Sequence, residues 1–464
     1  MTNQLDGGTV TELQDRVACE VLVPGAAGYD PARLLWNGRF QPRPAVVVRP
    51  RTAEEVAAVV NFVRERGLPL SVRSGGHSYA GHSVQDGAVA LDLSAMDTVR
   101  VDAERRTVEA GPGATWGDVD GATQAFGLAT PGPTVSTVGV AGFVLGGGSG
   151  YLTRRHGMAV DNLVAAEIVT ADGRIRRVDE GTEADLFWAI RGGSGNFGVV
   201  TSFVLRLHPV GPEVATAQAW HRFEDAAAAF RLYRDYMESA PDEVNMYAFV
   251  LRVPPVQPFP EDLHGQPAVA LVGLHSGDPA AGMAALKAVT DAGEPFFSSV
   301  ATMPYAAMQQ AFDAGMPKGL RWYTRAHNLR HLSDDVIDIV IRHTRELPGP
   351  FTMAYLGAGG GAVGRVAPDA TAYPHRDAPF DIHIFPGWSD PADDDAIMQW
   401  ARQFHDALSG HAVGGAYVNL MGEDQTATSS GAYGGNLERL RRLKAQWDPD
   451  NLFRSNHNIV ADGG

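Results

Sequence analysis

Residues 73–83 read Arg73-Ser74-Gly75-Gly76-His77-Ser78-Tyr79-Ala80-Gly81-His82-Ser83. Adjacent glycines let backbone approach a ligand more closely than any residue with a Cβ allows. The N–H groups freed at Gly75 and Gly76, with the Ser74 and Ser78 hydroxyls, make a nest for an anion such as pyrophosphate. A neutral imidazole at His77 is a nucleophile. Alone, the segment reads equally well as a glycine-rich turn holding a hydrogen-bonded histidine. Upstream lies a β-α-β pattern. Residues 44–49 form an apolar strand, and Thr52 caps a helix with Glu54 and Glu55 in its first turn. Val56, Val59, Val60 and Val63 recur at helical spacing, Gly67 stops the helix, and 68–72 returns as a strand.

Two later segments share the glycine density. Residues 139–151 interleave Gly139, Gly142, Gly146, Gly147, Gly148 and Gly150 with Val140, Phe143, Val144 and Leu145, which is not a flexible linker; residues 186–201 repeat the theme. Glycine is entropically costly in ordered structure, so a packed run implies backbone lying against something flat or bulky. Within it, Gly193-Ser194-Gly195-Asn196-Phe197-Gly198 satisfies G-x-G-x-x-G. A dinucleotide fingerprint follows a strand and opens a helix. Here a helical pattern at 185–190 precedes it and a strand pattern follows, so a Rossmann site is rejected. No phosphate-binding P-loop and no G-x-S-x-G elbow occurs.

The chain has 464 residues, too long for one core, with 44% hydrophobic and 20% charged residues. Its formal charge of −16 argues against a nucleic-acid backbone or an anionic membrane surface as partner. The single cysteine, Cys19, excludes an intrachain disulfide. The start, Met1 to Asp6, shows no leader, no stretch spans a bilayer, and a cytoplasmic location is expected. His327 and His331 are spaced for one helix face but lack the Glu of H-E-x-x-H, so no metal site is expected. Further strands are expected at 88–93, 107–110, 163–170, 199–207, 246–253, 268–274 and 380–385, and helices at 226–237 and 334–345. The alternating runs after 211 imply an antiparallel sheet with helices on one side.

Three long motifs in fixed order carry a resemblance. Arg73-Ser74-Gly75-Gly76-His77-Ser78, the 139–150 glycine run, and Asp185 to Thr201 (Asp-Leu-Phe-Trp-Ala-x-Arg-Gly-Gly-x-Gly-Asn-Phe-Gly-Val-Val-Thr) closely resemble the berberine-bridge-enzyme-like FAD-linked oxidases of the vanillyl-alcohol-oxidase (PCMH-type) superfamily. Tyr417-Val418-Asn419 and 448–458 match that family's ending, so the resemblance spans almost the whole chain. It implies an α+β protein: a two-part FAD-binding domain (1–210 and 415–464) with an inserted antiparallel-sheet-plus-helices substrate domain (211–414). It implies FAD bonded once, through the 8α-methyl carbon, to His77. The cofactor contacts it implies are Arg73, Ser74, Gly75, Gly76, Ser78, Gly81, His82, Val138, Gly139, Gly142, Gly147, Gly148, Tyr151, Val199, Tyr417, Asn419 and Asn458.

Three positions bear on chemistry. Many members attach the flavin a second time through a cysteine; Val135 stands in its place, so one covalent bond is expected. Val138 falls at the oxygen-gating position, and a small valine there resembles the oxidases, favouring O2 as acceptor and hydrogen peroxide as product. Leu420 replaces the tyrosine base that many sugar and alcohol oxidases of the family carry. A base must come from elsewhere, with Tyr355, Tyr247, His383 and Glu423 as candidates, or the substrate needs none. Aromatic residues of the middle region (Phe249, Trp322, Tyr323, Phe385, Trp388) fit an apolar pocket or ordinary core. The expected partners are a small amine, alcohol or secondary metabolite and O2; nothing in the residues speaks to oligomeric state. The alternatives are a dehydrogenase using another acceptor and a silent flavin-binding relative.

Overall fold

The computed structural model describes residues 5–461, without the side chains of 426–430. Met1 to Gln4, read above for a leader, lie outside the described residues. Thr52 caps the helix Ala53–Arg66 by accepting from the Glu55 N–H, and Gly67, at φ 61°, ends it. The flanking strands Val46–Arg49 and Leu70–Arg73 do not pair with each other. Both lie parallel to Val89–Asp92, which runs between them, while Glu20–Leu22 closes one edge antiparallel. The central strand is buried throughout, as its apolar run requires. A second sheet, wholly antiparallel, runs in the order Val99–Asp102, Thr107–Ala110, Val199–Arg206, Leu163–Val169, Ile175–Asp179.

From Glu213 the chain builds a third, seven-stranded antiparallel sheet in the order Phe297–Pro304, Glu213–Arg222, Pro267–His275, Val244–Arg252, Met353–Ala358, Phe380–Phe385, Arg325–Leu329. Alternation sorts its two faces. Met246, Ala248, Val250, Leu356, Ile382 and Ile384 pack in one core with residues of the helices Ala226–Ser239, Asp334–Thr344 and Asp394–Leu408. Tyr247, Phe249, Met353 and Phe385 pack in another. The expected helices at 226–237 and 334–345 and the strand at 380–385 are all present. His327 and His331 do not share a helix: His327 lies in the strand Arg325–Leu329 and His331 in the loop after it. The His327 ring stacks on His405 at 3.8 Å and its Nε2 donates to the His405 carbonyl, and no metal-holding cluster occurs among the described residues. No described helix is long and apolar enough to cross a membrane.

The tail returns to the first half of the chain. Helix Leu437–Trp447 ends at Asp448 and shares a core with the helix Ala184–Ile190 through Leu440 and Leu443. Lys444, fully buried, donates to Asp448 (2.7 Å), to the Asn196 carbonyl (2.8 Å) and to the Phe453 carbonyl (2.9 Å). Asn196 also accepts from the Ile459 N–H, and the Tyr433 hydroxyl donates to the His457 carbonyl. The 193–198 turn is thereby stitched to 448–459. Removing one partner of a buried ion pair strands the other's charge. Lys444→Ala is therefore expected to cost about 3–5 kcal/mol, read as a lowered urea midpoint; a loss below about 1 kcal/mol would show that solvent reaches Asp448.

Candidate active site

Two of the glycine-rich segments touch. A Cβ on Gly75 would stand 2.5 Å from the Gly139 amide nitrogen, and one on Gly139 would overlap Gly75 in turn. Only glycine at both positions permits the crossing. Gly76 (φ 70°) and Gly81 (φ 75°) occupy the left-handed region, so the loop turns sharply on either side of His77. The His77 ring stacks on Trp36 (4.9 Å between centroids, 20° between planes), and Trp36 stacks on Trp322. On its edge, His77 Nε2 lies 3.0 Å from the Thr137 hydroxyl. Burial, with the nearby Lys318 ammonium adding to it, pulls the imidazole down to about 3, so the ring is neutral at physiological pH.

A cavity of about 350 Å³ opens over this loop. Of the expected cofactor contacts, Ser74, Gly75, Gly76, His77, Ser78 and His82 line it from one segment, and Val138, Gly139 and Gly142 from the second. Val199, Tyr417 and Asn419 complete that side. The remaining expected contacts stand off the wall. Arg73 turns away to donate to the Ala32 carbonyl and pair with Asp92. Gly81 packs against the Phe40 ring and Gly148 against Phe143 and Ala159, which makes both structural turns. Gly147 sits against Tyr373, Met158 and Tyr417. Tyr151 is buried behind Tyr247, and Asn458 lies past the wall. The Ser74 hydroxyl donates to the Pro112 carbonyl, so it fastens the loop. Ser78 accepts from the His82 N–H.

These walls suit FAD. His82 Nε2, Asn456 Oδ1 and His457 Nδ1 belong to wall residues, are buried, and have no partner within the protein. Buried polar atoms in native folds are nearly always paired, so three along one wall imply a polar ligand. Burial holds the His457 ring down at about 3 and lowers His82 as well, keeping both neutral. Asn456 and His457 were not singled out in the sequence, although the 448–458 match pointed to their segment. Val135 lines the cavity with an alkyl side chain, and Cys19 lies off its wall, its thiol raised to about 11 by burial. The one cysteine of the chain therefore supplies no thiol at this wall.

Opposite lies the seven-stranded sheet. Tyr247, Phe249, Met353, Tyr355, His383 and Phe385 line the cavity from it. Burial drives the Tyr247 and Tyr355 phenols well above their ordinary range, which makes them donors rather than bases. Tyr417 is pushed up to about 12, and its oxygen accepts from the Gly148 N–H (2.8 Å) and Asn419 Nδ2 (2.9 Å). Leu420 also reaches the wall and carries no proton. Glu423 does not reach it: its carboxylate pairs with Arg39 at 2.6 Å, so it is corrected from base candidate to structural ion pair. Trp322, Tyr323 and Trp388 are likewise core, fully buried away from the wall. His383 differs from all of these. Its Nε2 donates to Asp381 Oδ1 at 2.7 Å, and its buried Nδ1 has no partner. Its ring stacks on Tyr355 at 4.5 Å. Asp381, unremarked in the sequence, sits two residues before His383 on one strand, and period 2 alone places both on one face. A carboxylate bonded to one nitrogen of an imidazole at a cavity wall, with the other nitrogen left unpartnered, is an arrangement suited to a general base.

A glycine-cradled loop with a neutral histidine, facing an antiparallel sheet that carries an oriented imidazole, defines an FAD-linked oxidoreductase. Residues 44–179 match the FAD binding domain family, and 416–460 the berberine and berberine-like family. The chain is 31% identical to an FAD-linked oxidoreductase of Dictyostelium discoideum over 91% of its own length and 90% of that protein's. It is 28% identical to the (R)-6-hydroxynicotine oxidase of Paenarthrobacter nicotinovorans, covering 96% and 97%. The solved xylooligosaccharide oxidase of Myceliophthora thermophila superposes with a TM-score of 0.85 at 25% identity, covering 98% and 100%. The chain belongs to the berberine-bridge-enzyme-like family of FAD-linked oxidoreductases. Since both crossing glycines pack backbone on backbone, Gly139→Ala is expected to cost about 1–3 kcal/mol. It should also lower the flavin-to-protein absorbance ratio, and unchanged occupancy would show that the crossing does not shape the cofactor wall.

Proposed function

We propose that this enzyme carries FAD covalently on His77 and oxidises a small organic alcohol or amine held against the seven-stranded sheet, passing the electrons to O2 and releasing hydrogen peroxide. The observation that carries the reading is the facing pair: neutral His77 on one cavity wall and the Asp381-oriented His383 on the other. Bound FAD supplies the two-electron acceptor, chemistry that no side chain offers. The chain's own residues then do three things. Ser78, His82, Asn456 and His457 hold the cofactor's polar edges. Phe249, Phe312 and Phe385 give the substrate an apolar bed and exclude water. His383 Nδ1 takes the proton from the substrate's hydroxyl or ammonium, while Asp381 accepts from Nε2–H and steadies the charged ring. Val138, on the wall and small, leaves O2 room to approach. The alcohol or amine class agrees with a base that removes a proton from O–H or N–H, and with relatives named as oxidases of hydroxynicotine and of xylooligosaccharides.

The covalent link is tested by His77→Ala, which is expected to release all its flavin into the supernatant on acid precipitation, where wild type keeps it in the pellet. Flavin retained by the variant would end the assignment. The base is tested in a peroxide-coupled screen of alcohols and amines. With the best substrate, His383→Gln should slow anaerobic flavin reduction about 10²–10⁴-fold, and Asp381→Asn less than that. Reduction at the wild-type rate in His383→Gln would remove the base role. Slow re-oxidation of the reduced wild-type enzyme in air would point to an acceptor other than O2.

A further inference from the structure

Asp381 lines two cavities. The second, of about 50 Å³, adjoins the first and shares Ser149, Tyr247, Asn328, Tyr373 and Asp381 with it. Asp381 stands in a cross-strand row, with Gly357 on one side and Asn328 on the other. Its carboxylate lies against Gly357, a wall residue of the second cavity alone. The side chain of Asp381 is 31% exposed and that of His383 7%, so the carboxylate is the member of the pair that water reaches. Asn245 Oδ1 and Asn328 Nδ2 are buried without a partner in the protein, and both residues line the second cavity. The Asn245 amide is fixed at its other end, where Nδ2 donates to the Gly150 carbonyl at 2.9 Å. Arg154 on the same wall spends its guanidinium on the carbonyls of Ala240, Val244 and Gly359. Gly359, His375 and Ala378 are half-buried wall residues, so the cavity approaches the surface. Buried polar atoms that lack a protein partner are satisfied by water where the site is polar and roomy enough. One water needs roughly 10–15 Å³, which leaves room here for about three.

We propose that the second cavity holds ordered water and is the proton outlet of the active site, with Asn245 and Asn328 as positioning residues for that water. This rests on the reading of His383 as the base. The substrate proton taken at Nδ1 leaves the imidazole charged. The Nε2 proton then crosses to Asp381, which passes a proton on to water and is again a carboxylate. Hydrogen peroxide takes up two hydrogens, one that left the substrate as hydride and one proton. For that second proton the route runs inward: Nδ1 gives up its proton, and Nε2 regains one from water through Asp381. One proton has gone out and one has come in, and the ring is back in its starting tautomer.

The first test needs no substrate. A high-resolution crystal structure of the FAD-loaded wild-type enzyme should show water within hydrogen-bond reach of Asn245 Oδ1 and of the Asp381 carboxylate; a cavity without water overturns the proposal. The second follows flavin reduction and proton release together in an anaerobic stopped flow, with phenol red in weak buffer and the best alcohol from the peroxide-coupled screen. In wild type the two should coincide. In Asn328→Leu the proton should appear about five- to tenfold more slowly than the flavin is reduced, the effect of losing one hydrogen bond to the water. Asn328→Ser, which keeps a polar group and leaves more room, should bring the two back together. Proton release in step with reduction in Asn328→Leu overturns the outlet. So does a raised KM with slowed reduction and no lag, which marks Asn328 as a substrate contact. His383→Gln separates this from the reading beneath it: reduction at the wild-type rate there removes the base, whatever the cavity holds.

Discussion

The close crossing of Gly75 and Gly139 is the constraint on which the site depends. Two stretches 64 positions apart in the numbering lie backbone against backbone because neither has a Cβ. That contact puts His77 and Thr137 side by side and brings Val138 to the same wall. A side chain at either glycine would separate the loop that carries His77 from the loop that carries Thr137. The strain and entropy stored in so many glycines are offset elsewhere, by apolar cores and by the buried Lys444 ammonium, which satisfies two backbone carbonyls and one carboxylate at once. That lysine fastens the tail that carries Asn456 and His457, so the cofactor wall is assembled from three parts of the chain that no local interaction would gather.

The opposite wall obeys a simpler rule. A strand of an antiparallel sheet sends alternate side chains to opposite faces, and here one face is claimed by helices. Ile382 and Ile384 satisfy that core, which leaves Asp381, His383 and Phe385 to the cavity. Gly357 lies directly across from Asp381 in register, and a Cβ there would collide with the carboxylate. The glycine therefore makes room for the group that orients the imidazole. His383, the carboxylate that orients it, and Tyr247, Phe249, Met353, Tyr355 and Phe385 thus reach the cavity from one rigid sheet, which fixes their positions relative to one another.

Much of the scaffold was legible in the residues. Thr52 and Gly67 bound their helix, and 380–385 alternates as a strand, because capping and period 2 are local physics. The Rossmann reading of 193–198 was rejected rightly, since a helix precedes it and a strand follows. What escaped was non-local. Val89–Asp92 slips between the two strands of the β-α-β pattern, and nothing in its own residues announces its neighbours. Glu423 looked available until Arg39, 384 positions away, was found on it. Trp322 and Trp388 have the composition of pocket residues and the positions of core ones. Asp381 could have been found, because a histidine on an alternating strand shares its face with the residue two before it.

Val135 and Leu420 then acquire a common meaning. One position offers no sulfur and the other no phenol, and both sit on the side of the cavity built from the two ends of the chain. That side presents His77, glycine backbone and the unpaired polar atoms of His82, Asn456 and His457. The imidazole–carboxylate pair stands across the cavity, Asp381 and His383 lying on the sheet between Glu213 and Phe385. Because the two sets of side chains rest on different elements, those on the sheet face are free to change while the glycine crossing and its histidine stay as they are.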